Sequence, residues 1–511
     1  MSASAQIRTI TTHIPARLDR LPWSRFHWRV VVGLGGVWVL DGLEVTMVGN
    51  VSARLMEKGS GISLDAAQIG MAAAIYIAGA CSGALFFGHL TDRFGRRNLF
   101  ILTLALYLVA TVATAFAFAP WYFFMTRFFT GAGIGGEYAA INSAIDELIP
   151  ARVRGRVDLV INGTYWLGSA AGAGGALILL NTSNFPANVG WRLAFGIGAL
   201  LGIFVLLVRR NVPESPRWLF IHGRDKEAEQ VVDEIEESVE KENGEPLPEP
   251  EGEQLRIRQR SAISFREIAG VAFKLYPRRA ILGLALFIGQ AFLYNGVTFN
   301  LGTLLSSFYA VPAAMVPVFF ILWALSNFAG PLVLGHLFDT VGRKPMITLS
   351  YVGSGVVVVA LALVFLTQAG GVWAFIAVLI LAFFLASAGA SAAYLTVSEI
   401  FPMETRALAI AFFYAVGTAI GGITGPLLFG QLINSGQRGL VVWSFLIGAV
   451  VMAAAGLVEL WLGIPAEGRR LEELALPLTL DDAESHGESA GGVPGVRRTY
   501  GVAGQGEQTP R

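Results

Sequence analysis

The sequence predicts an all-α membrane protein of twelve transmembrane helices arranged as two pseudo-symmetric six-helix bundles. Three observations carry this. Of 511 residues, 54% are apolar and only 14% charged, where a soluble chain carries roughly a quarter charged residues. Mostly apolar runs of about 20 residues, the length a bilayer-spanning helix needs, recur along the chain. Short polar motifs between the runs repeat in the same order in both halves, the mark of an internal duplication.

The first 27 residues are basic and polar. They lack the short apolar core and small-residue cleavage site of a secretory signal, so the first span is expected to stay in the mature protein. Spans follow at 28–50, 66–88, 98–117, 121–145, 157–180 and 191–208, forming a first bundle over 28–208. A polar insertion occupies 209–278, and within it DKEAEQVVDEIEESVEKEN has the mixed charge and apolar spacing of a surface helix. PLPEPEGE after it reads as a linker, and RIRQR suits anionic headgroups. The second bundle, 279–464, holds spans at 280–308, 314–337, 345–366, 371–397, 407–434 and 439–463. The tail, 465–511, reads as largely disordered.

Lys and Arg placement sets the orientation. With a cytoplasmic N-terminus the inner side collects Arg93, Arg96, Arg97, Arg152, Arg154, Arg156, Arg343, Lys344 and Arg406, and the outer side only Arg54, Lys58, Arg192 and Arg438. Both termini and the central loop are therefore expected in the cytoplasm, and the protein in the cytoplasmic membrane. The formal net charge is zero, which leaves no global field to draw nucleic acid. The sole cysteine, Cys81, lies in an apolar span and is expected simply to pack.

The repeat is explicit. GHLTDRFGRR at Gly88–Arg97 returns as GHLFDTVGRK at Gly335–Lys344, 247 residues on. Glu147, Pro150 and Arg154 return as Glu399, Pro402 and Arg406, 252 on, and PESPRWL from Pro213 is echoed by PAEGRRLEEL from Pro465, again 252 on. All three pairs fall at the expected inner ends of spans. Asp92 lies within reach of Arg96, Arg97 and the basic loop 152–156, and Gly95 and Gly342 permit tight turns. A charge network joining helix ends in this way can bias a two-state equilibrium. Gly88, Asp92, Gly95, Arg96, Arg97, Glu147, Arg154, Gly335, Asp339, Gly342, Arg343, Glu399 and Arg406 are thus read as an inner gate. The blander reading, that these charges only set topology, does not account for the repeated acids Asp92 and Asp339.

These motifs carry a resemblance. The paired G-x-L-x-D-x-x-G-R-[RK] loops resemble the signature of the major facilitator superfamily over about residues 20–475. PESPRWL and the Glu-Pro-Arg motifs look like its sugar-porter branch, while RLDRLPWSRFHWRV followed by LDGLE is more similar to the niacin and aromatic-acid permeases and synaptic-vesicle-like proteins. The resemblance implies the major facilitator fold and alternating access between its halves.

Ionisable residues inside spans are costly and mark function. Asp41 and Glu44 share one face of span 1, and span 4 holds Arg127 and Glu137. A rise of 1.5 Å per residue puts Asp41 about 18 Å above the inner start of span 1 and Arg127 about 9 Å below the outer start of span 4. An Asp41–Arg127 pair at similar depth is therefore expected, with Glu44 as an alternative partner of Arg127. Protonating Asp41 would release Arg127, and Asp41→Asn would abolish accumulation while sparing counterflow. The sugar-porter resemblance implies the same role for a span-1 aspartate and span-4 arginine. Glu137, in GAGIGGEYAA, resembles a carboxylate of phosphate and organic-acid symporters; near the inner surface it could equally pair with the arginines at 152–156.

The second half offers polar and aromatic groups instead. Gln290, Tyr294, Asn295 and Phe299 on span 7, Trp323 and Asn327 on span 8 and Tyr394 on span 10, with Tyr165 and Trp166 on span 5, are candidate substrate contacts. Gln290 and Asn295 match part of a sugar-porter pattern, but its first Gln is Gly289 here, its span-5 Gln is Ser169 and its span-10 Trp is Tyr394. Phosphate is disfavoured because span 11 has no basic residue. The glycine-rich span 5 lacks the Gly-Pro of drug antiporters, which favours proton symport of a sugar, aromatic acid or other organic acid over efflux. A solute sensor is the remaining non-transport reading. An enzyme is not expected: there is no P-loop or metal-ligand cluster, and the six histidines lie outside span interiors. The expected partners are a small solute, protons and lipid, with no cofactor beyond the proton gradient, and the chain acts as a monomer.

Overall fold

The computed structural model describes residues 9–94, 96–150, 152–209, 216–221, 223–249, 255–258, 269–401, 406–469 and 474. Its frame is twelve long helices: α1 Arg25–Met56, α2 Ala66–Phe94, α3 Arg96–Ala115, α4 Pro120–Leu148, α5 Arg154–Leu179, α6 Ala187–Arg209, α7 Pro277–Tyr309, α8 Val316–Thr340, α9 Arg343–Thr367, α10 Gly371–Ile400, α11 Arg406–Asn434 and α12 Arg438–Leu462. Among the described residues eight of them are long and apolar enough to cross a membrane on length and composition alone. Of the others, α3 and α6 offer shorter apolar stretches, Ile101–Ala115 and Ala187–Ile203. α4 and α5 carry Arg127 and Asp158 within glycine-rich sequence.

The helix ends follow local chemistry. At the start of α1, His27 Nδ1 accepts a hydrogen bond from Ser24 N at 3.2 Å, a reciprocal cap of the box type. Proline opens α7 and α8, where a missing N–H costs nothing. Gly342 precedes α9 with φ +118°, a conformation only glycine takes without strain. α1 runs six residues past its expected outer end, to Met56.

Packing reproduces the duplication. In the first half α1 lies against α5 and α2 against α4; in the second, α7 lies against α11 and α8 against α10. The halves then meet through α2 with α11, α5 with α8 and α1 with α7. The first two contacts exchange under the pseudo-twofold and the third maps onto itself. Hydrophobic burial cannot drive helices together in lipid, so close backbone approach does much of this work. A Cβ on Gly42 would lie 1.7 Å from Tyr165 O, and one on Gly168 would lie 1.6 Å from Val39 O. These two glycines let α1 and α5 touch and fix the rotation of α1 about its axis.

One end of the bundle, here the loop face, carries a small polar body. The helix Asp225–Asn243 buries Ala228, Val232, Ile235 and Val239, against Ile14, Leu18, Leu21, Leu219 and Phe220. Arg17 binds Glu229, Asp233 and Glu236, and Arg20 binds Glu236 and the Pro248 carbonyl. Leu255–Arg258, from the basic stretch read as a headgroup contact, instead forms a strand antiparallel to Thr9–Thr12. The segment before α1 and the loop between the halves are thereby joined.

Candidate functional site

Three sites emerge: a charged centre inside the first half, a closure at the loop face and a central cavity between them.

At the charged centre, Arg127 on α4 is fully buried and donates through Nη1 to Glu44 Oε1 at 3.2 Å; Glu44 is equally buried. Thr111 Oγ1 on α3 also donates to Glu44 Oε1, at 3.0 Å. The guanidinium lies over the Tyr76 ring at 4.8 Å and the Phe195 ring at 5.5 Å, a cation–π setting. The expected Asp41–Arg127 ion pair is therefore corrected to Glu44–Arg127. The reason lies in how α1 sits. Gly42 is pinned against α5, and about 100° per residue turns Glu44 roughly 200° away, toward α3, α4 and α6. Its Oε2 there faces Gly198. Asp41, only about 60° round the helix from Glu44 but about 4.5 Å nearer the loop face, is 2% exposed and lies within electrostatic range of Tyr76 and Tyr165.

The loop-face closure is built on Arg343. Its Nη1 donates to Asp339 Oδ1 at 2.6 Å and to Phe338 O at 2.9 Å, while Nε and Nη2 fork onto Glu399 at 3.2 and 3.1 Å. Arg343 N donates to Glu467 Oε2 at 3.3 Å. Asp339 Oδ2 then crosses to the first half and accepts from Arg156 N at 2.8 Å, where the exposed N–H groups at the start of α5 favour an anion. Gly155 is wedged there: a Cβ would meet Arg343 Nη1 at 2.0 Å. Gly335 packs near Arg156 and Gly88 near Ala411, both across the seam between the halves. Arg154 turns instead to Asp19, at 3.5 Å. Gly95 lies outside the described residues, as do the side chains of Asp92, Arg96, Arg97, Glu137, Glu147 and Arg406.

Between these sites the halves line a cavity of about 140 Å³. It is lined by Trp38 and Val45 from α1, Tyr76 and Ile77 from α2, and Asn162, Tyr165 and Trp166 from α5. The second half contributes Gln290, Tyr294, Asn295 and Thr298 from α7, Ala390, Ser391 and Tyr394 from α10, and Tyr414 and Thr418 from α11. No charged residue lines it among the described residues. On the side away from the loop face α1 and α7 meet backbone to backbone, where a Cβ on Gly49 would lie 2.0 Å from Thr298 O.

Six of the nine candidate substrate residues line this cavity. Phe299, Trp323 and Asn327 stand one layer behind. Asn327 Oδ1 accepts from Tyr294 OH at 2.9 Å, Trp323 packs edge-on to Trp166 at 4.9 Å, and Phe299 lies 5.7 Å from Tyr76. They orient the lining rather than form it. Sequence reasoning missed Trp38, Tyr76, Asn162, Ser391, Tyr414 and Thr418. Only Asn162 had a usable signal, an uncharged polar residue four after Asp158 on one helix face.

Comparisons with known proteins agree with this architecture. The family model "Sugar (and other) transporter" matches residues 43–476. A niacin transporter of Acinetobacter baylyi is 29% identical over 90% of this chain and 99% of its own length. The Escherichia coli metabolite transport protein YdjK is 30% identical over 91% of this chain and 97% of its own. The solved proton:xylose symporter XylE, of the major facilitator superfamily, bound to 6-bromo-6-deoxy-D-glucose, superposes with a TM-score of 0.69 at 21% identity, covering 88% of this chain and 98% of that one. The chain thus belongs to the sugar (and other) transporter family, and shares its fold with that solved member of the major facilitator superfamily.

Proposed function

We propose that this protein is a proton-coupled importer of a small single-ring organic solute, with aromatic acids as the first candidates. The cavity carries the reading. Seven of its sixteen lining residues are aromatic, and its volume is close to that in which a protein interior takes up one benzene-sized ring. Rings bind to rings by stacking and edge contacts, while Asn162, Gln290, Asn295 and Thr298 supply neutral hydrogen bonds. Its relative, a niacin transporter, is in keeping with this. A sugar is the second reading, favoured by Gln290 and Asn295 on α7.

Coupling is assigned to Glu44. Tyr76 lines the cavity and its other face underlies Arg127, so solute at Tyr76 and charge at Glu44 act on the same guanidinium. Protonating Glu44 would free Arg127, and Asp41, one turn nearer the loop face, would be the next acceptor. The loop face is assigned to the cytoplasm from the Lys and Arg distribution. Opening there requires Asp339 to leave Arg156, while opening opposite requires α1 to leave α7. Uptake of labelled nicotinate, benzoate and hexoses into proteoliposomes with an imposed pH gradient tests the proposal. Gradient-dependent accumulation of an aromatic acid is expected; accumulation of hexoses alone, or indifference to the gradient, would overturn it.

A further inference from the structure

The last span contains one carboxylic acid, Glu459 on α12, which neither the charged centre nor the closure uses. A rise of 1.5 Å per residue puts it about 30 Å from the start of α12, at the loop-face end. It is 1% exposed, and its Oε2 accepts no hydrogen bond. Its Oε1 folds back to where a side chain on Gly463 would stand. α9 presents two titratable groups to it. Lys344, in the first turn, acts on it electrostatically, and no ion pair closes between them. Tyr351 is also in range, but its hydroxyl is spent on Leu286 O at 2.9 Å. α7 and α11 meet α12 through uncharged residues, Gly289 against Ala455, Phe292 and Leu293 against Gly448, and Phe429 against Phe445. A carboxylate shut away from water without a donor or a cation is costly, so this pocket suits the neutral acid. Glu459 also touches the closure from two sides. Lys344 follows Arg343, and the turn from Gly463 leads to Glu467, whose Oε2 accepts from Arg343 N at 3.3 Å.

We propose that Glu459 is a second proton-binding site, protonated while the loop face is closed, and that loss of this proton opens that face. The charge left on Glu459 draws Lys344 toward it and shifts the first turn of α9, from which Arg343 grips Asp339. A proton biases a conformational equilibrium only by binding one state better. Here the closed state holds it, so raising the pH favours the open one, by up to about tenfold in the open-to-closed ratio per pH unit. The inference rests on the closure at Arg343 and not on the identity of the solute. On the reading of the loop face as cytoplasmic, it makes import slow as the cytoplasm acidifies.

The test uses the purified full-length chain in a Cys81→Ala background, with spin labels on cysteines replacing Arg25 and Val341. These positions are 83% and 57% exposed and stand at the loop face on opposite halves. The distance between the labels reports the closed and open populations. Between about pH 5 and about pH 9 the longer-distance population should grow about fivefold or more. Glu459→Gln, neutral and of the same shape, should keep the short distance at every pH. Lys344→Gln, which removes the cation to be drawn, should cut the rise by more than half. At about pH 5, where the acid is to be neutral, Glu459→Gln should also melt at the temperature of the unaltered protein; a variant already destabilised there overturns the inference. So does a rise that Glu459→Gln leaves unchanged, or no rise at all in the unaltered protein, and both of these leave the closure standing. If Gly155→Val fails to lengthen the distance, the closure itself falls and the inference with it.

Discussion

Neutralising Glu44 tests the charged centre most directly. At 3.2 Å between Glu44 Oε1 and Arg127 Nη1, an effective dielectric of ~20 gives an attraction of about 5 kcal/mol. Taking both ions out of water offsets much of this, but removing one partner leaves the other buried and costs about 3–5 kcal/mol. In Glu44→Gln an amide oxygen still faces Arg127, so the net loss is at the lower end of that range, about 3 kcal/mol. The variant should unfold several degrees lower in a thermal scan. Glu44→Gln with Arg127→Gln should recover at least half of that shift, because no unpaired charge remains. The transport consequence is larger. One proton moving down 100 mV is worth about 2.3 kcal/mol, enough for roughly 50-fold accumulation. Glu44→Gln should accumulate nothing in proteoliposomes yet exchange labelled for unlabelled solute. Asp41→Asn, measured alongside, should retain residual accumulation. If Glu44→Gln concentrates solute as the unaltered protein does, the coupling assignment is wrong. If the double variant is no more stable than either single one, the pair is not the one described.

Two further outcomes follow from the loop face. A side chain at Gly155 would overlap Arg343 Nη1 and Asp339 Oδ1, at 2.0 and 2.5 Å from its Cβ. Gly155→Val should therefore part the halves there, and a cysteine placed at Ser391 in a Cys81→Ala background should react with a soluble maleimide several-fold faster; an unchanged rate refutes the closure. The clamp on the N-terminal segment should be acid-labile. Burial alone would raise the Glu236 carboxyl above its ordinary value of 4.5, but hydrogen bonds from Arg17 and Arg20 hold it lower. A depressed carboxylate stabilises the fold above that ordinary value and loses its contribution as pH falls through the lowered one. Limited proteolysis should then cut the segment near Arg17 faster at about pH 4 than at pH 7, and Glu236→Gln should flatten the difference.

Much of this protein is legible in its sequence. Apolar runs of bilayer length give the twelve helices, because in lipid a helix must satisfy its own backbone. The repeated Gly-Asp-Gly-Arg loops give the two halves and bring Asp339 and Arg343 within reach, because only one tight turn at Gly342 separates the end of α8 from the start of α9. Buried charge in spans 1 and 4 marks a centre by cost alone.

Contacts between helices were settled elsewhere. Asp41 and Glu44 were equally eligible for Arg127 while the rotation of α1 was unknown. Gly42 and Gly168, by admitting α5 to backbone contact, fix how α1 sits, so that Glu44, opposite α5 and one turn further from the loop face than Asp41, is the one against Arg127. Trp323 and Asn327 read as well as Tyr294 along the chain, and only the packing of α8 behind α7 put them in the supporting layer. Asn162 looked like one polar residue among many until the packing of α5 put it in the cavity wall. Periodicity fixes which residues share a face of one helix. Which face meets which neighbour depends on backbone approach between helices distant in sequence, and that is a property of the folded molecule.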